Sequence, residues 1–319
     1  MISLTIITGW LGAGKTTLLN RILVESRALR IVVVQNEFGA IGIDADIMSD
    51  GAAGVYELSD GCICCGVNDD FLEVIEAVAT ADDPPDAIIV ETTGLADPAA
   101  TLLSLIANPY VDDLFRIDGV VTVADATYRL DEAGASREAI AQIALADTII
   151  LNKLDLLKDD DRDRMMSAIR ALNPTASLIP SSFANVDVSA LLDIGGFDPQ
   201  RLRVGELDDA EGPADHAHHG IAAHTFRSDS SVDRKRLDAW LDRLIDENGE
   251  RLYRFKGIIH VDGEENPIVV QGVRSLYTWR YRSRGADEER GSRMVVIGEG
   301  IDDERLRRAW EEIAGDGSA

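Results

Sequence analysis

The stretch Gly9-Trp10-Leu11-Gly12-Ala13-Gly14-Lys15-Thr16 constrains this 319-residue chain more than any other. It fits the pattern G-x-x-x-x-G-K-[ST], in the setting which that pattern demands. Leu4–Thr8 before it is an apolar, β-branched run of buried-strand type. Thr16–Ser26 after it carries Leu18, Leu19, Ile22 and Leu23 at helical spacing. A glycine-rich turn alone does not explain Gly-Lys-Thr at its end. Backbone N–H groups of Gly9, Gly12, Ala13, Gly14, Lys15, Thr16 and Thr17 are expected to cradle phosphates at the helix N-terminus. Lys15 would supply charge to the β- and γ-phosphates, and the Thr16 hydroxyl would ligate Mg²⁺.

The runs Ile31–Val34, Val55–Leu58, Ala87–Val90, Gly119–Val123 and Thr148–Leu151 show no polar alternation. Helical segments such as Phe71–Ala79 divide them. That arrangement predicts a doubly wound α/β domain with a mostly parallel sheet covered on both faces. The character changes near residue 200. Gly205–Gly220 is acidic, poor in large apolar side chains and holds Pro213, which suits a linker. Beyond it come a strand near Ala223–Phe226, a helix over Val232–Glu247, strands over Arg251–Val261, Ile268–Val273, Tyr277–Tyr281 and Met294–Ile297, and a closing helix over Asp302–Ile313. This predicts a smaller α+β domain. The expected boundaries are 1–204, a linker at 205–220, and 221–319, with no internal repeat.

A formal charge of −26 argues against nucleic acid or an anionic membrane as a general partner. No run of about 18 apolar residues offers a membrane span. Met1-Ile2-Ser3-Leu4 runs straight into a strand without a basic n-region, so a cytoplasmic location is expected.

All three cysteines, Cys62, Cys64 and Cys65, lie between Gly61 and Gly66. A disulfide framework spreads its cysteines to staple distant segments, and this spacing cannot do so. It suits a soft metal ion such as zinc, copper(I) or cobalt, or a redox couple. Three thiolates on a divalent ion leave one exchangeable tetrahedral position, which suits transfer, whereas a closed four-ligand site suits structure. Glu37, water or a client ligand could fill it.

Asn152-Lys153-Leu154-Asp155 follows a late strand. In N-K-x-D the Asp155 carboxylate accepts from guanine N1–H and the exocyclic amine, the Lys153 stem packs along the base, and Asn152 ties the loop to the glycine loop. GTP is therefore expected over ATP. Glu91-Thr92-Thr93-Gly94 follows Val90, where Glu91 would hold Mg²⁺ through water and the Gly94 N–H could sense a γ-phosphate. Gln35-Asn36-Glu37-Phe38-Gly39 is the other candidate sensor. Asp44 and Asp46 suit capping or solvated turns as readily as a metal.

Taken in order, G-x-L-G-A-G-K-T-T-L, N-E-F-G, G-C-I-C-C, E-T-T-G-L-A-D-P and N-K-x-D resemble the CobW family of GTPases. These are relatives of the urease and hydrogenase nickel-insertion GTPases. Tyr253-Arg254-Phe255-Lys256-Gly257 and Val270-Gln271-Gly272-Val273 are similar to that family's C-terminal domain. The resemblance implies slow intrinsic hydrolysis of GTP to GDP and phosphate. It also implies a transition metal (zinc foremost, cobalt or iron as alternatives) held at Cys62, Cys64 and Cys65 and delivered to a client metalloprotein. Many relatives read E-N-E-F-G-E where this chain has Gln35 and Ala40 at the outer positions, so only Glu37 keeps its carboxylate. His216, His218 and His219 offer an auxiliary metal site or merely a solvated acidic loop. Aromatic and arginine residues of the second domain, Trp279, Arg280 and Tyr281 among them, suit either a client surface or core packing. The catalytic set expected is Lys15, Thr16, Glu37, Glu91 and Gly94, and a homo-oligomer is open. Two rival readings are a regulatory GTP switch with a structural ion, and a nucleotide-gated cysteine redox couple.

Overall fold

A computed structural model describes residues 1–35, 53–57, 69–94, 97–108, 111–128, 130, 136–202, 207, 220–285 and 290–314. They fall into two compact units, Met1–Met166 with Ala176–Gly196, and Ser167–Thr175 with Phe197–Ala319.

The first unit is built on a seven-stranded sheet. Its strands are β1 (Ile2–Gly9), β2 (Ile31–Gln35), β3 (Ala53–Glu57), β4 (Ala87–Glu91), β5 (Phe115–Asp125), β6 (Thr148–Asn152) and β7 (Ser177–Pro180), in the spatial order β3-β2-β4-β1-β5-β6-β7. Every pairing between neighbours is parallel. The sequence predicts five of these strands outright together with β1. It misses β7, whose Ser177 and Pro180 are exposed, because an edge strand needs no apolar run. The helices are α1 (Lys15–Glu25), α2 (Asp69–Ala79), α3 (Pro98–Ala107), α4 (Val111–Leu114), α5 (Arg137–Leu145) and α6 (Asp159–Leu172). β4 and β6 are buried along their whole length, which explains their unbroken apolar runs. On one face α1 buries Leu18, Leu19 and Ile22 against Ile7, Val33 and Ile89. Burying such a side chain is worth about 2 kcal/mol each by transfer.

The chain leaves β1 for strands on one side and later returns to add β5 on the other, so β1 sits at the switch point. In open α/β sheets the crevice at the strand C-termini there is where ligands bind. The opposite, N-terminal end is held by two buried carboxylates. Asp118 accepts from the backbone N–H of Ile194 and Gly195 at 3.0 Å each, and Asp147 accepts from Val120 N at 3.0 Å. These acids are structural.

In the second unit, β8 (Ile221–Ser228), β9 (Leu252–Ile259), β10 (Ile268–Val273), β11 (Leu276–Tyr281) and β12 (Ser292–Glu299) form an antiparallel sheet in the order β11-β10-β9-β12-β8. Helices α7 (Arg234–Asn248) and α8 (Asp303–Ala314) pack on it. Asp233 caps α7 by accepting from Arg236 N at 3.0 Å. Trp240 and Trp310 meet edge-to-face with centroids 5.2 Å apart, and Phe226 closes the cluster. The predicted α+β unit is therefore present with its predicted strands. The aromatics of this unit divide between the two expectations: Trp240 and Tyr253 are buried in the core, whereas Trp279 and Tyr281 stand exposed on the edge strand β11.

Candidate functional site

The glycine loop links the C-terminal end of β1 to α1 at the switch point. Gly14 caps α1 at φ 113, a conformation that favours glycine. A second constraint acts there: a Cβ on Gly14 would lie 2.5 Å from Asn152 Nδ2. That amide passes the loop to donate to Ala13 O at 2.8 Å, and Asn152 Oδ1 accepts from Ala184 N at 2.8 Å. Asn152, at the end of β6, thus pins three segments at once. The tie between the Asn152–Asp155 stretch and the glycine loop, expected from sequence, is this hydrogen bond.

Lys15 Nζ donates to Gly9 O at 2.8 Å and lies 3.5 Å from Trp10 O. Its side chain is buried within the loop that it closes, whereas Thr16 and Thr17 are exposed on the first turn of α1. An exposed hydroxyl at a helix N-terminus is a fitting oxygen donor for a hard cation beside a phosphate.

Glu91 ends β4 and is 4 % exposed; Gln35 Nε2, at the end of β2, donates to its Oε2 at 2.6 Å. The two are direct cross-strand neighbours. Three residues further on, Gly94 presses against the glycine loop so closely that a Cβ there would lie 2.7 Å from Leu11 N. Gln142 of α5 donates to Gly94 O at 3.2 Å, while its own carbonyl accepts from Thr122 Oγ1 at 2.6 Å. The Asp-Pro that ends E-T-T-G-L-A-D-P is a helix cap: Asp97 Oδ1 accepts from Ala99 N at 2.9 Å and Pro98 opens α3.

At the other side of the loop, Lys153 takes φ 65 and its Nζ bonds Asp125 Oδ2 at 2.6 Å. Burial works to raise the Asp125 carboxyl, but Lys153 and the hydroxyl and N–H of Thr127 outweigh it and hold the group below its ordinary value. Asp155 stays exposed, its backbone N donating to Ser182 Oγ at 3.1 Å.

Sequence reasoning missed Gln142, Asp125 and the Ser181–Asn185 loop. Gln142 reads as one polar residue on an apolar helix, and Asp125 as a strand terminus. The loop joins the site through Asn152 and through contacts made by backbone N–H groups. Leu154 N donates to Ser181 O, and Asp155 N donates to Ser182 Oγ. Only the fold reveals them. Glu37, Asp44, Asp46, Cys62, Cys64, Cys65, His216, His218 and His219 lie outside the described residues. Among the described residues no group of three or more His, Cys, Asp or Glu side chains could hold a metal ion.

Fold and loops define a P-loop nucleotide-binding protein with an appended α+β domain. The family model described as CobW/HypB/UreG, nucleotide-binding domain, matches residues 3–180, and the cobalamin synthesis protein cobW C-terminal domain matches 221–314. The zinc chaperone YjiA of Escherichia coli is 29 % identical over 97 % of this chain and 98 % of its own length. The zinc chaperone CobW of a Sinorhizobium species is 31 % identical over 96 % of this chain and 95 % of its own. The crystal structure of Zn(II)-bound YjiA GTPase from E. coli superimposes with a TM-score of 0.80 at 25 % identity, covering 98 % of each chain. The chain belongs to the CobW/HypB/UreG family and is a GTPase. No helix among the described residues is long and apolar enough to cross a membrane.

Proposed function

We propose that this GTPase is a cytoplasmic metallochaperone that holds a transition-metal ion on Cys62, Cys64 and Cys65 and releases it to a client metalloprotein as GTP is hydrolysed. The carrying observation is a single register row. β3, the strand that runs toward the cysteine stretch, ends at Glu57 level with Gln35, Glu91 and Ile7, two residues before the glycine loop begins. Gln35, Glu91 and the last residue of β3 therefore share one end of the sheet, which supports a link between nucleotide and thiols. The zinc-chaperone names of the relatives support zinc as the cargo, and cobalt and iron accept the same donors.

In this reading the backbone of Gly9, Gly12, Ala13, Gly14, Lys15, Thr16 and Thr17 holds the phosphates, and the Lys15 ammonium neutralises them. The Thr16 hydroxyl, and the Glu91 carboxylate through water, would hold Mg²⁺, which would supply neutralising charge at the phosphates when bound. Asn152, Lys153 and Asp155 hold guanine. Gly94 and Glu37 report the γ-phosphate, with Gln142 fixing the carbonyl of Gly94. Three thiolates leave one exchangeable position on the ion, which Glu37 or a client ligand can enter. The His216–His219 tract is a second holding place for cargo, and self-association remains compatible with every step.

Metal competition with a chromophoric chelator, run with a non-hydrolysable GTP analogue and with GDP, tests the proposal. Linkage demands that metal change nucleotide affinity by the factor by which nucleotide changes metal affinity. Equal metal retention in both states sinks delivery in favour of a structural ion. A reversible disulfide with no metal affinity replaces the grip with a redox couple. Cys64→Ser should abolish stoichiometric metal binding and leave GTP binding intact.

A further inference from the structure

We propose that Phe183 is the aromatic platform for the nucleotide base, an affinity-determining residue of the GTPase site. The inference rests on the assignment of Asn152–Asp155 to the base and deepens it. Four non-glycine residues among the described ones take positive φ: Lys153 (65°), Phe183 (56°), Ala184 (52°) and Arg274 (53°). Three of the four stand at this one corner. Left-handed backbone costs free energy at any side chain with a Cβ, and such strain persists only where the surroundings impose it; it gathers at ligand sites.

The surroundings here impose it from three sides. Ala184 is fully buried in the core beneath the glycine loop, and its N–H is taken by Asn152 Oδ1. Asn185 N turns back to Ser182 O at 3.1 Å, and its side-chain oxygen accepts from Arg21 of α1. Leu154 N and Asp155 N reach across to Ser181 O and Ser182 Oγ at 3.1 Å each. Every member of the loop is tied inward except Phe183, which at 74 % exposure is the most exposed aromatic ring among the described residues. A strained backbone thus holds a bare ring one residue from the hydrogen bond that joins its loop to Asp155.

An apolar ring held in water at a strained position gains nothing for the fold: glycine there would relieve the strain and remove the exposed surface. A purine face is the ligand chemistry that answers both facts. Asp155 reads the edge of the base, Lys153 lies along it, and stacking on Phe183 supplies sequence-tolerant affinity from the π-face. Because the base is common to GTP and GDP, the ring should affect both equally and leave phosphate sensing alone.

The test uses the full-length protein with Mg²⁺ and titration calorimetry against GDP and a non-hydrolysable GTP analogue. Phe183→Gly should weaken both by about tenfold, the scale of one lost base stack, while its thermal midpoint holds or rises as strain is released. Phe183→Trp should restore affinity, and its emission should change when GDP is added. Unchanged affinity in Phe183→Gly overturns the proposal, as does a Phe183→Leu variant that binds as tightly as the wild type. Asp155→Asn separates this from the parent assignment. If that variant keeps its preference for guanosine over xanthosine diphosphate, the base loop is misassigned. If the preference shifts while Phe183→Gly binds normally, Phe183 alone is misassigned.

Discussion

Gln35 Nε2 donates to Glu91 Oε2 at 2.6 Å, joining the last residues of two adjacent parallel strands, both nearly buried. The amide satisfies one oxygen of the buried carboxylate and fixes its orientation at the C-terminal end of the sheet. It also couples the strand that leads toward Glu37 with the strand that leads to Gly94. A neutral donor does this where a second carboxylate would repel.

Gln35→Leu should therefore remove one hydrogen-bond donor from Glu91. Removing one side of a buried hydrogen bond to a charged group costs about 2 kcal/mol, which a urea midpoint will register. GTP turnover should fall with it, since Glu91 loses its fixed orientation. A variant as stable and active as the wild type would show that the bond is incidental.

Asn152→Ala should be costlier than its single substitution suggests. It frees Ala13 O and leaves Ala184 N without its acceptor, each a buried group worth about 1–3 kcal/mol when orphaned. GDP affinity should fall together with stability, because glycine loop, base loop and Ser181–Asn185 loop lose their common anchor. Calorimetric unfolding with and without GDP will show both.

Gly94→Ala meets the backbone of Leu11 at 2.7 Å, and backbone cannot swing aside. The loop must shift by a good part of an ångström, enough to cost hydrolysis up to about a hundredfold. GDP binding, which needs no γ-phosphate sensor, should survive largely intact. Equal losses of GDP affinity and turnover would instead mean that the glycine loop itself is distorted.

Asp125 has a carboxyl held below its ordinary value in the folded state, despite burial that opposes this, by Lys153 and Thr127. A group whose folded pKa is depressed contributes stability above its unfolded pKa, here 3.8, and loses it as pH falls through the folded value. The wild type should thus lose this contribution only in acid below about pH 4, and neutral to mildly acidic pH should not touch it. Asp125→Asn should show a shallower loss of thermal midpoint across that acid window. An identical acid limb in both proteins would remove Asp125 from the account.

What could be read from residues alone followed from local physics. Gly9–Thr16 is a contiguous pattern, and its flanks, Leu4–Thr8 and Leu18–Leu23, announce strand and helix by side-chain period. Buried parallel strands declare themselves as apolar runs, so β1, β2, β4, β5 and β6 were legible, whereas the exposed edge strand β7 was not. The Asp-Pro of Asp97-Pro98 belonged to a recognisable motif, yet its work as a helix cap emerged only from geometry.

The chain by itself determined the class of fold, the two-unit order, the glycine loop between strand and helix, and the Asn152–Asp155 turn after a late strand, because each is encoded within a few consecutive residues. Tertiary structure decided which distant groups complete them. Asn152 meets Ala13 across 139 residues and Ala184 across 32; Gln35 meets Glu91 across 56, and Gln142 meets Gly94 across 48. No periodicity or motif records such pairs, since a hydrogen bond depends on position in space and leaves no imprint on spacing along the chain.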